Sequence, residues 1–151
     1  MKIASIINRK GRHFETVSQN TPLLAAVEIM HREAIGSIGV HDEEVRTIIG
    51  IISQAELMTA IATRGIYGLH LPVSLYMRVS LTNCTCEDEV GTIMEVMTRR
   101  RSRHAIVRNA AGEAAGLVSM GDLVAAQLEQ AQLEAGVLRD MARSHLLAAS
   151  V

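Results

Sequence analysis

Two four-residue segments carry side chains suited to holding a small polar ligand: "SQAE" from Ser53 to Glu56 and "SMGD" from Ser119 to Asp122. At a helix start, a serine and an acid three residues on can close a capping box, each side chain accepting from the other's backbone amide. The same atoms also suit a ligand. Unpaired N–H groups and the positive dipole end favour a phosphate. The serine hydroxyl can donate to a phosphate oxygen, and the carboxylate one turn along can accept both hydroxyls of a ribose. The residues alone leave both uses open.

A third segment, "TRRRSRHAIV" from Thr98 to Val107, gathers Arg99, Arg100, Arg101, Arg103 and His104. The whole chain has 15 Lys and Arg against 16 Asp and Glu, a formal net charge of -1. Backbone affinity for nucleic acid grows with the phosphates neutralised, and single-strand binding needs aromatic platforms. Only Phe14, Tyr67 and Tyr76 are aromatic, none beside these arginines, so binding to nucleic acid is the weakest reading. Thr98 to Arg101 read instead as the solvated end of a helix, whose cations suit its dipole. Arg103 and His104 start the next strand.

Other chemistry is scarce. Cys84 and Cys86 form a lone C-x-C that cannot close a tetrahedral metal site, so two free thiols and no metal are expected. No nucleophile with an adjacent base and no paired carboxylates are visible, so an enzyme is not expected. His70 has no titratable partner nearby in sequence and reads as surface or packing. No signal-type apolar core lies in Met1 to Arg12 and no run approaches about 20 apolar residues, so a cytoplasmic, reducing location away from membranes is expected.

The elements that position these residues are written twice. "GIISQAELMTA" (Gly50 to Ala60) matches "GLVSMGDLVAA" (Gly116 to Ala126) at an offset of 66, and "TPLLAAVEIMHREAIGSIGV" (Thr21 to Val40) matches "DEVGTIMEVMTRRRSRHAIV" (Asp88 to Val107) at 67. The dropped residue should fall in the polar turns "HDEEVR" and "RNAAGE". Leu23, Ala26, Val27 and Met30 in copy one, and Val90, Ile93, Met94 and Met97 in copy two, make amphipathic helical stripes, with Thr21 and Asp88 as N-caps and Pro22 at the first helical position. Ile35 to Val40 should pair with Ile48 to Ile52, and Ala105 to Val107 with Ala115 to Val118. Short leading strands are expected near Thr16 to Ser18 and Asn83 to Cys86, and Ser53 and Ser119 should start second helices. Each copy leaves an apolar sheet face, so the fold class is α+β, an α/β sandwich of two repeats about a pseudo-two-fold axis with their sheets packed together. Clefts between the copies are natural ligand positions.

From Met120 to about His145 the helical pattern continues, with Val124, Leu128, Ala131, Ala135, Leu138 and Ala142 at heptad spacing and Leu133, Val137 and Met141 as a second stripe. Such a long C-terminal helix suggests a homodimer; the alternative is a tail folded back on its own chain, bent at Gly136. A turn-rich joint with a short helix after Pro72 links the copies.

These features resemble a tandem CBS-domain protein, a Bateman module of the small standalone bacterial type. The resemblance rests on "GLVSMGDL", the altered "GIISQAEL", the "RSRHAIV" strand, "IINRKG" near the start and the tail "EQAQLEAGVLRDM", and it covers essentially the whole chain. It implies an N-terminal segment (1–14), two CBS motifs (15–65 and 81–130), a linker (66–80) and a helical tail (131–151). It also implies a regulatory ligand-binding module, dimeric, taking an adenine nucleotide such as AMP, ATP or NAD and acting on a regulated protein. In copy two the site residues implied are Ser119 for phosphate, Asp122 for ribose, Arg103, His104 and Ala105 lining the cleft, and Cys84 and Thr85 at the adenine edge. In copy one they are Ser53, Glu56, Gly36, Ser37, Ile38 and Thr16. Copy one departs from the family pattern: Glu56 replaces the aspartate, its extra methylene shifting the carboxylate by about 1.5 Å, and Gly36 and Ser37 bring no cation. In copy two Ala105, Ile106 and Val107 stand where Leu-Pro-Val is common. One working site beside Asp122 is expected rather than two, with a dimeric scaffold that no longer binds nucleotide as the alternative.

Overall fold

The computed structural model describes residues 1–11, 14–45 and 47–150. Arg12 and His13 of the N-terminal segment, Arg46 of the turn "HDEEVR" and Val151 of the tail lie outside the described residues. In chain order the elements are α1 (Ile3–Lys10), β1 (Thr16–Ser18), α2 (Leu23–Arg32), β2 (Ser37–His41), β3 (Ile48–Ser53), α3 (Gln54–Arg64), β4 (Thr82–Thr85), α4 (Val90–Arg99), β5 (His104–Arg108), β6 (Ala114–Ser119) and α5 (Met120–Ala149). Two short 3-10 helices, Gly65–His70 and Val73–Leu75, join the copies.

Each copy folds into a three-stranded sheet, ordered β1-β2-β3 and β4-β5-β6. The leading strand runs parallel to the middle one, and the last two form an antiparallel hairpin. Both hairpins bulge at the same place, between Val40 and His41 and between Val107 and Arg108. Between the paired strands lie residues 42–47 in copy one and 109–113 in copy two, so the dropped residue does fall in the turn. The turns are closed by side chains. Asp42 Oδ1 accepts from the Glu44 and Val45 amides at 2.9 Å, and Asn109 Oδ1 from the Ala111 and Glu113 amides at 3.0 and 2.9 Å.

The sheets meet through Ile48, Ile51, Ile106 and Leu117, with Phe14, Leu81 and Ala114 packed around them. On the outer faces the segment before each copy crosses to the other copy. Ile3, Ile6 and Ile7 of α1 join the core of copy two, with Val90, Met97, Val107, Val118 and Leu123. Val73, Tyr76 and Met77 of the linker pack against copy one, with Leu23, Met30, Val40 and Ile52. Two repeat-related glycines make room for the crossings. A Cβ on Gly116 would meet Ile7 Cδ1 at 2.7 Å, and one on Gly50 would meet Met77 Sδ at 2.6 Å.

The same crossings replace the expected N-caps. Helix α2 is capped at Pro22 and α4 at Glu89, with no side-chain bond at either. The Leu23 amide donates to the Leu71 carbonyl and the Val90 amide to the Met1 carbonyl, both at 2.9 Å, so backbone from the crossing segment satisfies the orphan donors. Asp88 is occupied elsewhere: its Oδ2 accepts from the Thr85 amide at 2.6 Å and the Thr85 hydroxyl at 3.1 Å. Pro22 accordingly precedes the first helical residue rather than filling it.

Helices α2 and α4 end alike. Ile35 N donates to Met30 O and Ala34 N to His31 O; Ser102 N donates to Met97 O and Arg101 N to Thr98 O. Each is a Schellman closure, with Ala34 (φ 53) and Arg101 (φ 51) in the left-handed region that favours glycine. Helix α5 runs unbroken through Gly136 to Ala149, beyond the expected end near His145. Its only buried residues are Leu123 and Ala126, and none of 131–150 is buried, so the tail projects rather than folding back.

Candidate functional site

Both serine–acid pairs form capping boxes. Ser119 N donates to Asp122 Oδ2 at 2.8 Å and Asp122 N to Ser119 Oγ at 3.1 Å. In copy one Ser53 N donates to Glu56 Oε2 at 2.9 Å, the Ser53 hydroxyl donates to the same oxygen, and Ala55 N donates to Ser53 Oγ at 3.3 Å. The pairs end β3 and β6 and begin α3 and α5, so the sheet fixes where each helix N-terminus points.

Each acid is also held by a cation that the sequence reading did not single out. Lys10, at the end of α1, donates to Asp122 Oδ2 at 2.7 Å and to the Leu117 carbonyl at 3.2 Å. Arg78, in the linker, places Nε 3.3 Å from Glu56 Oε1, and its Nη1 donates to the Arg101 carbonyl at 3.2 Å. Both cations come from the crossing segments, so the pseudo-two-fold relation extends to these ion pairs. The detectable signal was a cation at the end of the segment preceding each copy; its destination required the crossing. The Glu56 side chain is 10 % exposed and that of Asp122 28 %. Burial pushes the Asp122 carboxyl up, but the Lys10 hydrogen bond, the Ser119 amide and the Lys10 charge outweigh it and hold it below the usual carboxylate range.

Two cavities flank these pairs. One, of about 430 Å³, is lined by Ser53 to Glu56, Arg78, Ser80 and Leu81 together with Arg101 to His104. The other, of about 490 Å³, is lined by Lys10, Phe14, Glu15, Leu117 and Ser119 together with Glu33 to Ser37 and His104. Between them, Gly36, Ser53, Arg103, His104, Ser119 and Gly121 line a third space of about 470 Å³ where the N-termini of α3 and α5 converge. Burial holds the His104 imidazole below its ordinary value, against the pull of Glu56 and Asp122.

The expected site residues are therefore distributed across the copies. Gly36 and Ser37 line the cavity of Ser119, not that of Glu56, and Arg103 lines the cavity of Glu56. His104 reaches both. Asp122 does not line the second cavity; the Lys10 bonded to it does. Ala105 and Ile38 are fully buried in the outer cores, because they point away from the sheet interface. Cys84 is likewise a core residue, its thiol pushed up to about 12 by burial first and by Asp88 and Cys86 beyond that. Thr85 is tied to Asp88, and Thr16 lines a separate cavity of about 530 Å³ with His41, Arg108 and Glu113 beside the hairpin turns. Arg99, Arg100 and Arg101 are exposed at the end of α4 and its closing turn, and no described helix is long and apolar enough to cross a membrane.

Comparison with known proteins gives one consistent picture. A family model described as "CBS domain" matches residues 4–63. A CBS-domain-containing protein of Agrobacterium tumefaciens is 31% identical, with a TM-score of 0.78 over 83% of this chain and 92% of that one. A CBS-domain protein of Pyrobaculum aerophilum, solved in complex with AMP, is 20% identical with a TM-score of 0.74 over 87% and 99%. The 5'-AMP-activated protein kinase subunit gamma of Dictyostelium discoideum is 24% identical over 121 residues, 72% of this chain and 21% of that subunit.

Proposed function

The chain belongs to the CBS-domain family as a tandem pair, and from that premise we propose that it is a non-catalytic regulatory module that binds an adenosine nucleotide beside Asp122. The observation that carries this reading is the Ser119–Asp122 box at the N-terminus of α5, bordering a cavity of about 490 Å³ with Phe14 and Leu117 on its walls. A helix N-terminus and a serine hydroxyl receive phosphate, the carboxylate receives ribose hydroxyls, and the apolar wall receives a base. The complex of the Pyrobaculum relative with AMP supports an adenosine compound as the ligand class. AMP, ATP and NAD all present these groups.

Binding regulates only if the ligand favours one of two arrangements. His104 faces both cavities, so a ligand in either changes the setting of the two copies at a shared residue. A regulated protein then reads the change. The projecting part of α5, with Leu128, Leu133, Val137, Leu138 and Met141 exposed, supports a homodimer as the assembled form.

A second reading is a dimeric scaffold without nucleotide affinity. Its supporting observation is that both signature acids already have cationic partners and capping roles. A thermal-shift series separates the two: AMP, ATP or NAD at 100 times its Kd should add about 2.7 kcal/mol of stability. No shift with any of them leaves the scaffold.

A further inference from the structure

The Lys10 ammonium occupies one of the two Asp122 carboxylate oxygens that a ribose diol would use. It bonds Asp122 Oδ2 at 2.7 Å and the Leu117 carbonyl at 3.2 Å, and it lines the cavity that Asp122 does not itself line. The same Oδ2 also accepts from the Ser119 amide at 2.8 Å. A cis-diol that takes both carboxylate oxygens must displace the ammonium from Oδ2.

What the displaced cation finds depends on the ligand. Glu15 and Glu33 also line the cavity, Glu33 paired with Arg32 Nε at 2.9 Å, and among the described lining residues Lys10 and the neutral-leaning His104 are the only cationic candidates. Without Lys10 a phosphate would have the Ser119 hydroxyl and the α5 N-terminus but no ammonium from the lining. With it, a phosphate on the ligand gives the ammonium a new partner, and a flexible four-carbon stem with three donors can turn from carboxylate to phosphate without moving α1. A neutral nucleoside takes the carboxylate and offers nothing in return.

We propose that Lys10 is a specificity-determining residue of this cleft, holding Asp122 until a ribose takes its place and then passing to the ligand's phosphate, so that the cleft selects phosphorylated adenosine compounds over neutral nucleosides. This rests on the reading that an adenosine compound binds beside Asp122.

Calorimetric titration of the full chain with AMP and with adenosine tests it, using wild type, Lys10→Met and Lys10→Arg. Wild type should bind AMP at least about tenfold tighter than adenosine. Lys10→Met should bring the two to within about twofold, adenosine gaining and AMP losing, while Lys10→Arg keeps the wild-type order. The Lys10 side chain is 42 % exposed, so the variants should fold, and a melting curve checks that they do. An AMP-to-adenosine ratio unchanged in Lys10→Met, or a wild type without preference for AMP, overturns the role of Lys10 while leaving nucleotide binding in place. Wild type that binds neither compound overturns both readings.

Discussion

Arg78 Nε lies 3.3 Å from Glu56 Oε1, joining the linker to the signature acid of the copy it has crossed to reach. Glu56 is nearly buried, so this pair is partly sheltered from solvent, whereas Arg78 remains 46 % exposed. Removing the cation leaves a buried carboxylate with only the Ser53 amide and hydroxyl as donors. Arg78→Met should cost about 1–2 kcal/mol in chemical unfolding, more than an exposed ion pair contributes. A loss below about 0.3 kcal/mol would show that solvent replaces the guanidinium fully.

The two glycines under the crossing segments should differ in tolerance. A Cβ on Gly50 would press on Met77 Sδ, Cγ and Cβ at 2.6, 2.8 and 3.0 Å, whereas on Gly116 it meets Ile7 Cδ1 at 2.7 Å and nothing else closer than 3.8 Å. The Ile7 methyl can turn aside, but the Met77 stem cannot. Gly50→Ala should destabilise by about 1–3 kcal/mol and Gly116→Ala by less, measured by urea unfolding. Equal losses would mean that Met77 repacks freely.

Ala34 and Arg101 hold left-handed conformations with a Cβ in place. Glycine at either position removes that conflict without disturbing the Schellman bonds. Ala34→Gly and Arg101→Gly should each stabilise by about 0.5–1 kcal/mol, net of the extra freedom glycine gives the unfolded chain. The second change also deletes an exposed arginine whose side chain neither cap needs.

His104 is held below its ordinary value of 6.5 by burial. Because its folded pKa is depressed, its contribution to stability is complete above 6.5 and is lost as pH falls through the folded value. His104→Gln should therefore flatten the decline of unfolding free energy as pH falls below 6.5. An equally steep decline in the variant would assign the acid sensitivity to other groups.

Much of this architecture is legible in the sequence because it is local. The stripes of α2 and α4, the hairpins, the deletion between them and both serine–acid boxes follow from periodicity and short spacings. The crossings do not, since nothing in "IASIINRK" states that its isoleucines will pack on the copy it does not precede. Three features share this cause. Thr21 and Asp88 look like caps until backbone from the crossing segments satisfies the same amides. Lys10 and Arg78 carry no mark of their destination in the sequence, and only the crossing brings them to Asp122 and Glu56. The strand starts are likewise shared out between the clefts by how the copies face each other, which places Gly36 and Ser37 with Ser119. Ala34 and Arg101 escape notice for another reason: the left-handed closure is usually announced by glycine, and neither is one.

The central claim is that Asp122 receives the ribose of an adenosine nucleotide. It is tested most directly by calorimetric titration of AMP into wild type, Asp122→Ala and Glu56→Ala. Wild type should bind, Asp122→Ala should lose at least about tenfold in affinity, and Glu56→Ala should retain it to within about threefold. Equal affinity in wild type and Asp122→Ala would contradict the account, as would a loss confined to Glu56→Ala.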